Sequence, residues 1–193
     1  GCANSKLGES EKAIADYSKA VELKPDYADA YYNRGCANSK LGESEKAIAD
    51  YSKAIELKPG YAEAYNNRGY TYDDLGESEK AIADYSKAIE LKPDYAVAYN
   101  NRGTIYSRIG ESEKAIADYS KAIELKPGYA EAYYNRGVIY AGLGESEKAI
   151  ADYSKVIELN PKDKEAYEAR AKVYYSLGEE EKAAADEEAA SKL

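Results

Sequence analysis

The 193-residue chain has no histidine, phenylalanine, tryptophan or methionine, and only two cysteines and five prolines. Without histidine, two cysteines cannot complete the usual ligand sets of structural or catalytic zinc, and we expect no bound cofactor. The commonest general base is missing for the same reason, and no nucleophile motif or phosphate-binding loop takes its place. Carboxylates, lysines and tyrosines remain, but they recur at regular intervals instead of converging on one site, so an enzyme is not expected. No apolar run is long enough to span a bilayer, and no segment reads as a signal peptide. The lack of any methionine leads us to expect the natural start outside this sequence.

Positive charge is also scarce. Lys and Arg number 27 against 36 Asp and Glu, a formal net charge of −9, and the sequence pI is ≈ 4.8. That charge repels phosphate backbones and anionic lipid surfaces, and no basic patch is segregated, so neither nucleic acid nor membrane is expected as a partner. Cys2 and Cys36 hold the same place in successive copies of a repeat. Packed helices would set their backbones about 8–10 Å apart, whereas a disulfide needs Cα atoms within about 7 Å. Free thiols and a reducing, cytoplasmic setting are the expectation.

What the chain does have is 44% hydrophobic residues, 22 of its residues being tyrosine, and a strict period. Shifting the sequence by 34 residues superposes it on itself, and Gly-Glu-Ser-Glu-Lys-Ala-Ile-Ala-Asp-Tyr-Ser-Lys recurs unchanged from Gly8, Gly42, Gly76, Gly110 and Gly144. The prolines keep step at Pro25, Pro59, Pro93, Pro127 and Pro161. In the unit 62–95, a first helix is expected over about 62–75, with Ala64, Tyr65, Gly69, Tyr72 and Leu75 near one face. Gly76 breaks it. A second helix over about 77–91 carries the apolar stripe Ala81, Ile82, Tyr85, Ala88, Ile89, and Pro93 closes the unit. Asp26 with Asp29 three residues on suggests a reciprocal N-terminal cap.

Gly35, Gly69, Gly103 and Gly137 in the first helices are expected to face Ala47, Ala81, Ala115 and Ala149 in the second. A helix-interior glycine costs about 0.5–1 kcal/mol relative to alanine, so four of them imply close backbone approach. Tyr51, Tyr85, Tyr119, Tyr65 and Tyr99 fall at packing positions. Antiparallel hairpins bring Arg34 near Asp50, Arg68 near Asp84, Arg102 near Asp118 and Arg136 near Asp152, which favours ion pairs within each unit over a basic ladder for a ligand; exposed pairs of this kind contribute about 0–1 kcal/mol.

These residues resemble the tetratricopeptide-repeat (TPR) family, whose 34-residue helix-turn-helix unit has small residues at the crossing, an aromatic in the second helix and a closing proline. The resemblance covers essentially the whole chain. It departs from the family at Ser10, Ser44, Ser78, Ser112 and Ser146, where a large side chain is usual. It implies an all-α fold, an α-α superhelix (solenoid) of stacked antiparallel helical hairpins. The expected boundaries are a partial repeat 1–27, full repeats 28–61, 62–95, 96–129 and 130–163, and a C-terminal capping repeat 164–193, in which Ala184, Glu187 and Ser191 make the outer face polar. At the other end Ile14, Tyr17 and Val21 are expected to be exposed, and either fraying there or end-to-end self-association is expected. Light scattering on size-exclusion fractions should then show a mass that rises with concentration; a monomeric mass throughout would remove the idea.

The resemblance also implies a protein or peptide partner, held on a concave surface lined by the first helices. There the sequence varies most between repeats, as in the series Cys36, Tyr70, Thr104, Val138, Lys172 and the series Lys40, Asp74, Arg108, Gly142. Asn33, Asn67, Asn101 and Asn135 stand once per repeat, and similar arrays use such an amide on bound peptide; bonding to neighbouring repeats is the competing role. Tyr32, Tyr70 and Tyr134, with Thr104, Lys40 and Arg108, complete the candidate surface. The carboxylate clamp of chaperone-binding members looks absent, because only its single Asn has a counterpart. Two readings of purpose stay open: a protein-interaction scaffold, or an engineered or reconstructed repeat protein with no evolved ligand. The unchanged copy of residues 1–20 at 35–54 favours the second, the irregular first helices the first.

Overall fold

The structure is a computed structural model that describes residues 7–193. The described residues form eleven helices and no strand: α1 (Leu7–Leu23), α2 (Ala28–Lys40), α3 (Ser44–Leu57), α4 (Ala62–Asp74), α5 (Ser78–Leu91), α6 (Ala96–Arg108), α7 (Ser112–Leu125), α8 (Ala130–Gly142), α9 (Ser146–Leu159), α10 (Lys164–Ser176) and α11 (Glu180–Ser191). The chain divides into two compact units, one ending at Asn101 and one starting at Arg102, within α6. In the first, α2 pairs with α3 and α4 with α5, while α1 lies on α2 and α3 on α4. In the second, α8 pairs with α9 and α10 with α11, with α7 on α8 and α9 on α10. Both are all-α stacks of helical hairpins.

Each hairpin turns through a glycine in the left-handed region, from Gly178 at φ 73° to Gly110 at φ 82°. The Glu43 N–H donates to the Asn38 carbonyl (3.0 Å) and the Gly42 N–H to the Ser39 carbonyl (3.0 Å), the two bonds of a Schellman cap, and the other four turns repeat them. The N-termini differ from expectation. Tyr27 occupies the cap position of α2 and no side chain caps that helix; Asp26 stands one residue too early to do so. A side chain does cap α10, where Asp163 accepts from the Ala166 N–H at 3.1 Å.

Tyr51, Tyr85 and Tyr119 are each 1% exposed and fill the hairpin cores. They, more than the alanines expected opposite, set the glycines. A Cβ on Gly35 would lie 2.8 Å from the Tyr51 ring, with the Ala47 carbonyl at 3.3 Å, and one on Gly137 would lie 2.9 Å from the Tyr153 ring. Tyr65 and Tyr99, expected in the core, are only half-buried, and the Tyr65 ring instead stacks 5.6 Å from the Arg68 guanidinium. Leu75, at the end of its helix, is exposed.

The expected ion pairs form, with Arg170–Asp186 as a fifth. Each is bidentate: in the second hairpin, Arg68 Nε donates to Asp84 Oδ2 at 2.7 Å and Nη2 to Oδ1 at 2.8 Å. In Arg34, Arg68, Arg136 and Arg170 the third guanidinium nitrogen reaches a serine of the preceding repeat, Arg68 Nη1 to Ser52 Oγ at 2.9 Å and Arg170 Nη1 to Ser154 Oγ at 2.7 Å. Ser52 and Ser154 are themselves turned by donating to the carbonyl four residues back, Ser52 to Ile48 at 2.7 Å and Ser154 to Ile150 at 2.6 Å. One side chain therefore ties two hairpins together.

At the ends, Ala184, Glu187 and Ser191 are exposed, giving α11 a polar outer side. Val21, expected to be exposed, is buried and Ile14 and Tyr17 are half-buried, because α1 still packs on α2; Leu23 is the exposed apolar residue there. Cys36 is disulfide-bonded, against the expectation of free thiols. Cys2 is the only other cysteine in the sequence and lies outside the described residues. The inference to a reducing compartment loses that support.

Candidate functional site

The candidate residues lie on the first helices of the hairpins, and the structure separates them into engaged and accessible groups. In the first unit, Asn67 Nδ2 donates to Tyr32 Oη at 3.0 Å and sits 3.4 Å from Cys36 Sγ. Asn66 Nδ2 donates to Asn67 Oδ1 at 3.3 Å, and Asn101 Nδ2 donates to Asn66 Oδ1 at 3.4 Å. These amides bind neighbouring hairpins, the competing role weighed above. Asn33 and Asn135 are half-buried and make no side-chain hydrogen bond among the described residues.

Tyr32 is held by its surroundings. Its ring centroid lies 4.8 Å from Tyr61 and 6.0 Å from Tyr51, and burial pushes its phenol up from the usual tyrosine value. Tyr70 is 52% exposed on the same helix face as Asn67 and stands clear of such packing. Lys40 is exposed at the end of α2.

In the second unit, Thr104 is exposed and its Oγ1 accepts from the Tyr119 hydroxyl at 3.2 Å; Arg108 is exposed at the end of α6. Tyr134 tilts on Tyr153 with centroids 5.7 Å apart, and burial pushes the Tyr153 phenol up to about 12. Between α8 and α10 a cleft of about 360 Å³ opens, lined by Tyr134, Val138 and Ala141 of α8, Tyr153 beneath, and Ala169, Lys172, Val173 and Ser176 of α10. Val138 is 46% exposed at its mouth, and Lys172 is exposed with no ion pair among the described residues. Its floor is apolar and its rim carries one cation. Helical spacing brings Tyr134, Val138 and Ala141 to one side of α8, so the sequence contained this signal; Ala169 and Val173 were not singled out because they read as ordinary packing residues.

Among the described residues no three His, Cys, Asp or Glu side chains converge as a metal site, and no helix is long and apolar enough to cross a membrane.

The tetratricopeptide-repeat profile matches residues 28–61, 62–95 and 130–163, and related TPR profiles match 5–42, 108–144 and 85–117. No curated protein matches the chain at a significant level. Among solved structures, MamA is 32% identical over 82% of this chain and 92% of its own, with a TM-score of 0.78. YrrB, described as a TPR protein with an unusual peptide-binding site, is 26% identical over 90% of each chain, with a TM-score of 0.76. MamA from Desulfovibrio magneticus RS-1 is 21% identical over 86% of this chain and 94% of its own, with a TM-score of 0.79, a likeness of fold alone. With the family profile covering most of the sequence and the hairpins stacked as described, this chain belongs to the tetratricopeptide-repeat family, whose members serve generally as non-enzymatic protein-interaction scaffolds.

Proposed function

We propose that the chain binds a peptide segment of a partner protein on the exposed faces of its first-of-hairpin helices. The observation that carries this reading is the cleft between α8 and α10, where aliphatic side chains stand open to solvent beside an unpaired Lys172. An apolar pocket with a single cation at its rim suits an aliphatic peptide side chain followed by a carboxylate, the first supplying burial and the second direction. Asn33 and Asn135 would offer amides to the peptide backbone, with Tyr70 and Tyr134 as aromatic anchors and Lys40, Thr104 and Arg108 at the margins. Asn67 and Asn101 serve the surface indirectly, by fixing neighbouring side chains. YrrB's peptide-binding site supports peptide as the class of ligand.

The test is selection of binders from a random peptide library on the whole chain, followed by titration of Val138→Glu. Because Val138 is already half open to water, the variant should fold normally, while a carboxylate in the cleft should weaken binding at least about tenfold. Equal affinity would move the site elsewhere, and failure to select any peptide would favour the alternative of a repeat protein without an evolved ligand.

A further inference from the structure

One position breaks the repeat on the opposite side of α2. Tyr72, Tyr106, Tyr140 and Tyr174 occupy equivalent places in four hairpins, and in the hairpin of α2 and α3 that place is taken by Asn38. At about 100° per residue, Arg34 and Asn38 point away from Tyr32 and Cys36 on the same helix, so this region is distinct from the peptide-binding face proposed above.

Where the tyrosine is present it sits between two cations. The Tyr72 ring lies 5.9 Å from the Arg68 guanidinium and 5.2 Å from the Lys80 ammonium. Tyr140 lies 5.7 Å from Arg136 and 5.1 Å from Lys148, and Tyr174 5.9 Å from Arg170 and 5.3 Å from Lys182. The arginine is thereby stacked on both sides, as by Tyr65 and Tyr72 around Arg68.

In the hairpin of α2 and α3, Arg34 has only one such ring, Tyr31 at 5.4 Å. Asn38 turns inward and donates to Asp50 Oδ2 at 3.0 Å. A cavity of about 420 Å³ opens beside it, bounded by Arg34 and Lys46, with Ile14 and Leu41 as apolar walls. Both cations keep the partners they have elsewhere, Arg34 with Asp50 at 2.7 Å and Lys46 with Glu43 at 3.0 Å. The walls that hold a ring in the other hairpins are all in place.

We propose that this cavity receives a tyrosine side chain from a partner polypeptide, stacked between Arg34 and Lys46 as Tyr72 is stacked between Arg68 and Lys80. The occupant follows from the internal comparison: the same sequence environment holds a phenol ring in four other hairpins. Leucine would fill the apolar part but gain nothing from the two cations, so the site distinguishes aromatic from aliphatic residues.

The experiment titrates the whole, isotope-labelled chain with acetyl-Gly-Tyr-Gly-amide and with acetyl-Gly-Leu-Gly-amide, read by amide and side-chain chemical shifts. Saturable shifts of the Asn38, Arg34 and Lys46 signals are expected with the tyrosyl peptide and much smaller ones with the leucyl peptide. Asn38→Tyr, which supplies the ring from within, should abolish them and melt no lower than the parent. Lys46→Gln, on the surface and safe for folding, should weaken the tyrosyl peptide about two- to fivefold by removing one cation. No saturable shift, equal shifts with both peptides, or unchanged affinity in Lys46→Gln would each overturn the proposal. None of these results bears on the cleft at Val138, whose test is separate.

Discussion

Replacing Arg68 by alanine should lower the stability of the chain by about 3–5 kcal/mol, far beyond what a surface ion pair is worth. The Asp84 side chain is 8% exposed and that of Arg68 18% exposed, so truncating the arginine strands a carboxylate with little access to water. It also removes the 2.9 Å bond to Ser52, and with it a link to the preceding hairpin. The Asp84 hydrogen bond holds the Arg68 guanidinium above its already high ordinary pKa. The exposed pair Lys87–Glu90, also 2.7 Å long, gives the internal comparison: Lys87→Ala should leave the unfolding midpoint almost unchanged. Replacing both Arg68 and Asp84 by apolar residues of similar size should recover most of the loss, since what is costly is the unpaired charge. Urea denaturation midpoints by circular dichroism check all three variants, and an Arg68→Ala midpoint matching that of Lys87→Ala would refute the argument.

Tyr85→Ala should cost a similar amount, about 3–5 kcal/mol, as expected when a fully buried aromatic ring is deleted and its neighbours only partly relax. Its coupling to Gly69 is the sharper prediction. A Cβ on Gly69 would lie 3.1 Å from the Tyr85 ring and 3.3 Å from the Ala81 carbonyl. Gly69→Ala in the parent chain therefore sets a helix-propensity gain of about 0.5–1 kcal/mol against overpacking of about 1–3 kcal/mol, with a net loss expected. In the Tyr85→Ala background the ring is gone and the same Gly69→Ala change should become stabilising. Strict additivity of the two substitutions would show that the ring is not what requires the glycine.

The hairpins and the Arg–Asp pairs were legible in the sequence for one reason: both follow from a strict period and a fixed antiparallel register, so a spacing of sixteen residues places Arg68 against Asp84. The energy of those pairs was not legible, because burial of the aspartates depends on how adjacent hairpins close over them. The side-chain cap at Asp26 failed because the helix starts one residue later than the aspartate pattern suggests, leaving Tyr27 at the cap. For the candidate surface, the sequence placed the varied residues on the first helices, but it could not separate Asn67, bound to Tyr32, from Asn33, which makes no side-chain hydrogen bond among the described residues. Those partners belong to the preceding hairpin, and the composition of each repeat decides whether a hydroxyl or an amide is within reach. Asn38 among the tyrosines was visible as a letter; only the packing of Arg34 and Lys46 around it showed that the difference opens a cavity.

The most direct test of the peptide-scaffold account is to map a library-selected peptide onto the labelled chain by chemical-shift perturbation. The account predicts saturable shifts at Val138, Ala141, Lys172 and Val173, with the buried Asp152 and the Arg136 side chain undisturbed. Shifts confined to the second-of-hairpin helices α7 and α9 would contradict it.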